Sequence, residues 1–185
     1  MLPVKILTVS DGVIHGTRED KSGAILEARF IEAGWDVVER AVTEDGAGPV
    51  AESLRAMAVD YHGLIVTTGG TGFGPRDRTP EGTRAVIDRE APGLAEAMRL
   101  INPLGRLSRA VCGALDTALI INTPGSAKGC VETVDAVIAT VDESLSDYSH
   151  EMRAKSPPED DPARKQKVKA AVSPTQSHLC MAGNG

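Results

Sequence analysis

The chain has 185 residues, 41% hydrophobic and 25% charged, a balance that excludes a wholly disordered, fibrous or collagen-like protein and suits one domain with an appendage. A formal net charge of −6 argues against a general binder of nucleic acid or anionic membrane, because phosphate backbones demand a basic surface; a small anion held by a local loop still fits. No apolar run approaches the ~20 residues that span a bilayer and no secretory-signal pattern opens the chain, so a cytoplasmic location is expected. Cys112, Cys130 and Cys180 match neither CxxC nor a zinc-ligand spacing, which predicts free thiols.

In chain order, the β-rich run Val4–Ser10 predicts a first strand ending at the turn signal Asp11-Gly12. Ser22 is placed to cap a helix with Ile25, Leu26, Phe30 and Ala33 on its apolar face, and Gly34 to stop it. Asp36–Val42 predicts a second strand. Pro49 then falls near the first turn of a helix burying Val50, Leu54 and Met57. Gly63–Thr67 lacks polar alternation, the pattern of a parallel strand covered by helices on both faces. Thr79-Pro80 opens a helix expected to run to about Glu90, and Gly93 starts another with Leu94, Met98 and Ile101 on one side. Leu119–Ile121 reads as a central strand with Ala110–Cys112 as a short partner. From Ser126 the apolar positions Ala127, Val131, Val134, Ile138, Val141, Leu145 and Tyr148 recur every three or four residues, predicting one long helix. The expected architecture is α/β: three layers, with a central, mostly parallel sheet flanked by helices. From Glu151 the chain has no aromatic residue, has four prolines and mixes charges without an apolar period. Residues 1–150 are therefore expected to form the domain, and 151–185 a disordered polar tail with a short helix at most near 163–172.

The segment Thr67 to Glu81 is the informative one. Four glycines within 69–74 (Gly69, Gly70, Gly72 and Gly74) lie between a buried strand and a helix start, where backbone N–H groups can cradle an anion. Neither a Gly-Lys-Ser/Thr ending nor GxGxxG is present, which disfavours both of those nucleotide-binding classes. The plainer alternative is a tight turn with Arg76 and Asp77 as a surface pair. Asp77, a carboxylate beside a phosphate cradle, suits a divalent cation that relieves repulsion. Glu44-Asp45 after the second strand and Ser10-Asp11 after the first bring further carboxylates to the same sheet edge, or are simply turns. Ser108-Arg109 offers a hydroxyl and a fork-shaped cation, and Asn122-Thr123-Pro124-Gly125-Ser126 joins a strand to a helix N-terminus that attracts anions. Ser126 also suits a helix cap. His15, His62, His150 and His178 show no ligand spacing and read as surface or loop residues. The aromatics are too few for a nucleic-acid stacking platform.

Together, Thr8-Val9-Ser10-Asp11, the Gly69-Gly70-Thr71-Gly72 loop with Pro75 to Glu81, Ser108-Arg109-Ala110 and Asn122 to Ser126 resemble the Mog/MoaB family of molybdenum cofactor biosynthesis proteins over residues 4 to about 148. Arg76-Asp77 followed by Thr79-Pro80-Glu81 is most similar to the adenylyltransferase members. That resemblance implies a homotrimer acting on Mg²⁺-ATP and molybdopterin, attack of the molybdopterin phosphate on the α-phosphorus of ATP, and release of pyrophosphate. The molybdate-inserting enzyme of the pathway is an implied partner. A catalytically silent molybdopterin-binding paralogue, or a trimeric scaffold, is the alternative within the same family. By position, Asp77 matches an essential carboxylate that would hold Mg²⁺. Gly69, Gly70, Thr71 and Gly72 match the nucleotide and pterin phosphate site; Ser108 and Pro124-Gly125-Ser126 match other pocket segments. The family's second essential aspartate falls on Glu44 by ungapped counting and on Asp45 after a one-residue shift; Asp45 keeps the residue type. Ser10, Asp11, Arg76, Arg109 and Asn122 complete the expected binding set.

Overall fold

The computed structural model describes the backbone of residues 1–155 and the side chains of residues 1–147. Pro3–Val9 forms β1, followed by a single helical turn, α1 (Asp11–Ile14), and by α2 (Lys21–Glu32). Then come β2 (Asp36–Thr43), α3 (Ala47–Ala58) and β3 (Gly63–Thr68). The glycine-rich loop leads to α4 (Thr79–Arg84), β4 (Arg89–Glu90), α5 (Pro92–Leu100) and a 3₁₀ turn over Pro103–Leu107. β5 (Cys112–Leu115), β6 (Ala118–Thr123), α6 (Ala127–Asp135) and α7 (Ile138–Lys155) complete the described chain.

The six strands form one sheet in the order β2-β1-β3-β6-β5-β4. The first four run parallel; β5 and β4 are antiparallel additions at one edge. Alternate side chains of each central strand enter two separate cores, so the expected three layers are present. Val4, Ile6, Leu64, Val66 and Ile121 pack under α2, α5, α6 and α7 with Phe30 and Trp35, whose rings meet edge-on at 5.6 Å. Leu7, Val9, Ile65 and Ile120 pack under α3. All six residues of β3 are buried, as its unbroken apolar run predicts.

Several local expectations are corrected. Asp11-Gly12 opens α1, because the Ser10 hydroxyl accepts the Val13 N–H at 3.3 Å and caps it. Asp20, not Ser22, caps α2 through the Gly23 N–H at 2.8 Å, and Gly34 at φ +82° stops it as expected. Helix α4 ends at Arg84 rather than near Glu90, since Arg89–Glu90 pairs with β5 instead. α5 starts at Pro92 and leaves Ile101 exposed. The long helix is broken between α6 and α7, where the Val137 N–H bonds to Val134 O, three residues back; this tighter turn sends Val137 rather than Ile138 fully into the core. α7 runs to Lys155, past the boundary expected at residue 150. The rest of the expected tail, with its candidate helix at 163–172, Cys180 and His178, lies outside the described residues, as does the His150 side chain. Cys112 and Cys130 are free and buried, and burial pushes their thiols up to about 12 and about 11.

Asn122 pins the sheet where β5 joins β6. It is completely buried; its Oδ1 accepts the Val111 N–H at 3.1 Å and its Nδ2 donates to the Thr67 and Thr83 hydroxyls at 3.0 and 2.9 Å. Asn122→Leu removes all three bonds and strands a buried N–H, so it should destabilise the fold by about 2–4 kcal/mol. A shift of the urea midpoint at unchanged m-value measures this; an unshifted midpoint would mean that the network is not structural.

Candidate active site

The four parallel strands end at one edge of the sheet, and successive connections leave β1 and β3 in opposite directions. A crevice opens at such a switch point in a doubly wound sheet. Here it is a cleft of about 890 Å³ reached by the ends of β1 and β3, the glycine loop, the 3₁₀ turn and the N-termini of α2 and α6.

The loop can sit there only because it is glycine. Gly69 has φ +102°, and a Cβ on it would lie 2.4 Å from Val9 O; Gly70 has φ +63°, and a Cβ there would lie 2.3 Å from Thr79 Oγ1. Across the cleft floor, a Cβ on Gly125 would come within 3.1 Å of Gly69 Cα. The loop is fastened by the Gly69 N–H to Thr123 O at 3.1 Å and by the Thr79 hydroxyl to Gly69 O at 2.8 Å.

Among the residues expected in the site, Ser10, Gly69, Gly70, Thr71, Gly72 and Asp77 line the cleft, and so do Ser108, Pro124, Gly125, Ser126 and Asp45. Glu44 and Asp45, the two candidates after β2, are placed differently. Asp45 faces the cleft, its Oδ1 3.5 Å from where a Gly70 Cβ would stand, whereas Glu44 is exposed and lies 4.0 Å from His15 Nε2. The Asp77 carboxylate folds back on its own loop, with Oδ2 accepting the Gly74 N–H at 2.7 Å. A Cβ on Gly72 would lie only 2.9 Å from that oxygen.

Four expected ligands stand behind the cleft instead. Asn122 is consumed by the buried network described above. Asp11 and Asp45 accept each other's backbone N–H, Asp11 N–H to Asp45 Oδ2 at 2.9 Å and Asp45 N–H to Asp11 Oδ1 at 3.0 Å, which ties the ends of β1 and β2 together. Arg76 grips Asp11 with two bonds, of 2.6 and 2.9 Å, and donates to Asp45 O at 2.8 Å. Its guanidinium, helped by the Asp45 N–H, holds the Asp11 carboxyl below the usual range against a smaller opposing effect of burial. Arg109 donates to Gly72 O, to Asp77 O and to the Glu81 carboxylate. Burial works against ionisation of Glu81, but the Arg109 hydrogen bond and charge leave its carboxyl below the ordinary value.

The sequence missed the other wall. Arg18, Asp20 and Lys21 approach from the start of α2, and Lys128 from the start of α6. These two N-termini pack side by side, and the first-turn amides of each lack an intrahelical partner. Thr8 donates to both Asp20 oxygens at 3.0 Å, and Arg40 pairs with Asp20 at 2.9 Å from the side. The signal was present in Arg18-Glu19-Asp20-Lys21, which follows the first strand at the same edge; placing the cap at Ser22 hid it. Met98, Leu104 and Leu107 add an apolar flank, with the polar Asn102 beside them. Asp45 and Asp77 thus lie on the glycine-loop side of the cleft, while the α2 and α6 side mixes Arg18, Lys21 and Lys128 with Glu19, Asp20 and Glu132 around two helix N-termini.

The loop amides and helix N-termini suit anions, and neither described histidine side chain is available as a base in the cleft. His15 and His62 lie outside it. Asp45 and Asp77 present hard oxygen donors beside the loop, and no cluster of three His, Cys, Asp or Glu exists among the described residues. Two carboxylates fit Mg²⁺, which commonly completes its shell with water and substrate phosphate.

Residues 5–144 match the family described as "Probable molybdopterin binding domain". The chain is 36% identical over 145 residues to the molybdopterin adenylyltransferase of Escherichia coli, covering 74% of this chain and 73% of that protein. It is also 36% identical over 144 residues to the molybdenum cofactor synthesis protein cinnamon of Drosophila melanogaster, covering 72% of this chain but spanning 24% of that relative's length. The crystal structure of the molybdopterin biosynthesis enzyme MoaB from Thermus thermophilus superposes with a TM-score of 0.74 at 41% identity, covering 79% of this chain and 95% of that one.

The Asp11 carboxyl supplies a pH test of the brace behind the cleft. A folded-state pKa below the unfolded one contributes stability that is present above about pH 4 and is lost as the pH falls further. Asp11→Asn should melt lower than wild type at pH 7, and the gap should narrow progressively as the pH falls below about 4. A gap that does not narrow with falling pH would show that the Arg76 pairing contributes nothing through charge.

Proposed function

The chain belongs to this molybdopterin-binding family, and from that premise we propose that it acts in molybdenum cofactor biosynthesis as a molybdopterin adenylyltransferase. An oxygen of the terminal phosphate of molybdopterin attacks the α-phosphorus of ATP, the bond from that phosphorus to the β-bridging oxygen breaks, and pyrophosphate leaves with the electron pair. The observation that carries this reading is the meeting of the glycine loop with Asp45 and Asp77 in a cleft that the N-termini of α2 and α6 also reach.

Phosphate is already a competent nucleophile, so the protein must position two anions and offset the charge growing on bridging and leaving oxygens. Loop amides at Gly70 to Gly72 and the first-turn amides after Ser126 would grip phosphate oxygens, with Lys21 and Lys128 beside them. The flank of Met98, Leu104 and Leu107 suits the pterin. Asp45 and Asp77 would hold Mg²⁺, which when bound neutralises phosphate charge. Working as a cytoplasmic homotrimer and passing its product to the molybdate-inserting enzyme belongs to the same proposal. No described helix is long and apolar enough to cross a membrane.

Incubation with molybdopterin, ATP and Mg²⁺ should yield adenylylated molybdopterin and pyrophosphate. Asp77→Asn and Asp45→Asn should each slow turnover about 10²-fold or more, while Glu44→Gln stays near wild type because its carboxylate faces solvent. Tight pterin binding without product would instead identify a silent binding protein. We also propose that the polar tail is dispensable: a chain ending after Lys155, where α7 ends, should keep most of its turnover. Loss of turnover in that truncation would assign the tail a part in the site.

A further inference from the structure

Arg109 does not line the cleft, yet it touches the glycine loop at several points. Its Nε donates to Gly72 O at 2.7 Å, Nη2 to Asp77 O and Nη1 to Glu81 Oε1, while its own backbone N–H bonds to Thr71 O at 3.1 Å. The guanidinium also lies 5.9 Å from the ring centre of Phe73, at the loop's exposed tip. One planar fork therefore joins the two ends of the excursion 72–77 to the first turn of α4. Glu81 is committed to this bond, for its other oxygen, Oε2, is buried and has no partner. Apart from the Arg76 bonds to Asp11 and Asp45, the excursion is held only across itself: Gly74, Pro75 and Arg76 are exposed, the Gly74 N–H bonds to the Asp77 carboxylate and the Asp77 N–H to Gly74 O.

We propose that Arg109, with Glu81 as its anchor, is a positioning residue that clamps the glycine loop shut from behind and so fixes the Asp77 carboxylate toward the cleft. It was expected among the substrate-binding residues; its donors are spent on the protein instead. Lysine cannot replace it, because a point-like ammonium does not span three acceptors set around a planar fork. The catalytic half of this inference rests on the proposed adenylyl transfer, whereas the structural half does not.

The test uses the full chain with Arg109→Lys, and Glu81→Gln as a milder variant that keeps an acceptor but drops the charge. Hydrogen exchange should quicken about 10-fold or more at the Gly74, Asp77 and Thr79 amides in Arg109→Lys, and less in Glu81→Gln, with β3 and β6 unchanged. Turnover should fall about 10-fold in Arg109→Lys, and the Asp77→Asn/Arg109→Lys double variant should be no slower than Asp77→Asn alone, because both act on one carboxylate. Unchanged loop exchange, or equal loosening of the central strands, overturns the clamp; additive losses overturn its action through Asp77. If Arg109→Lys fails to fold, exchange in Glu81→Gln decides by the same criterion. A loop that loosens in a chain without transferase activity removes only the proposed function.

Discussion

Three strand ends converge so tightly at Gly69 that no side chain fits there. Val9 O stands 2.4 Å from where its Cβ would be, and Gly125 approaches its Cα from the other side. This close approach brings the ends of β1, β3 and β6 together where the following loop turns over the sheet edge. The cleft, the orientation of Thr79 and the start of α4 all follow from that approach.

A cradle made of backbone amides needs no cationic side chain at its floor, but it needs to be held. Two arginines are used for that purpose. Arg76 fastens the loop to the reciprocal Asp11–Asp45 pair, and Arg109 closes it onto α4. Each guanidinium serves acceptors on the protein in a geometry that matches its fork, the property that separates arginine from lysine. The cations that line the cleft are instead Arg18 and Lys21 at the start of α2 and Lys128 at the start of α6, the last paired with Glu132 at 3.6 Å.

Family membership and site geometry support the same chemistry by different routes. The match over residues 5–144 names a molybdopterin-binding domain, and the relatives named as adenylyltransferases lend the proposed reaction. The cleft independently joins a glycine loop, two carboxylates and two helix N-termini, parts that phosphoryl chemistry can use when the substrate brings its own nucleophile.

The sequence by itself determined the layered α/β architecture, because the apolar runs of β1, β3 and β6 and the spacing of apolar residues in α2, α3 and α6 report burial directly. It also located the glycine loop and Asp77, since glycines beside a buried strand have few other uses. Tertiary structure alone decided which polar residues face the ligand. Asn122, Arg76 and Arg109 carry chemistry suited to binding, but they find partners far away in sequence, at Val111 and Thr83, at Asp11, and at Gly72 and Glu81. Glu44 and Asp45 differ by one residue beyond the end of β2, and only the direction in which the chain leaves the sheet turns one to solvent and the other to the cleft. A side chain's type states what it can bind, but its partner is set by which segments the sheet order brings together, and no local pattern encodes that.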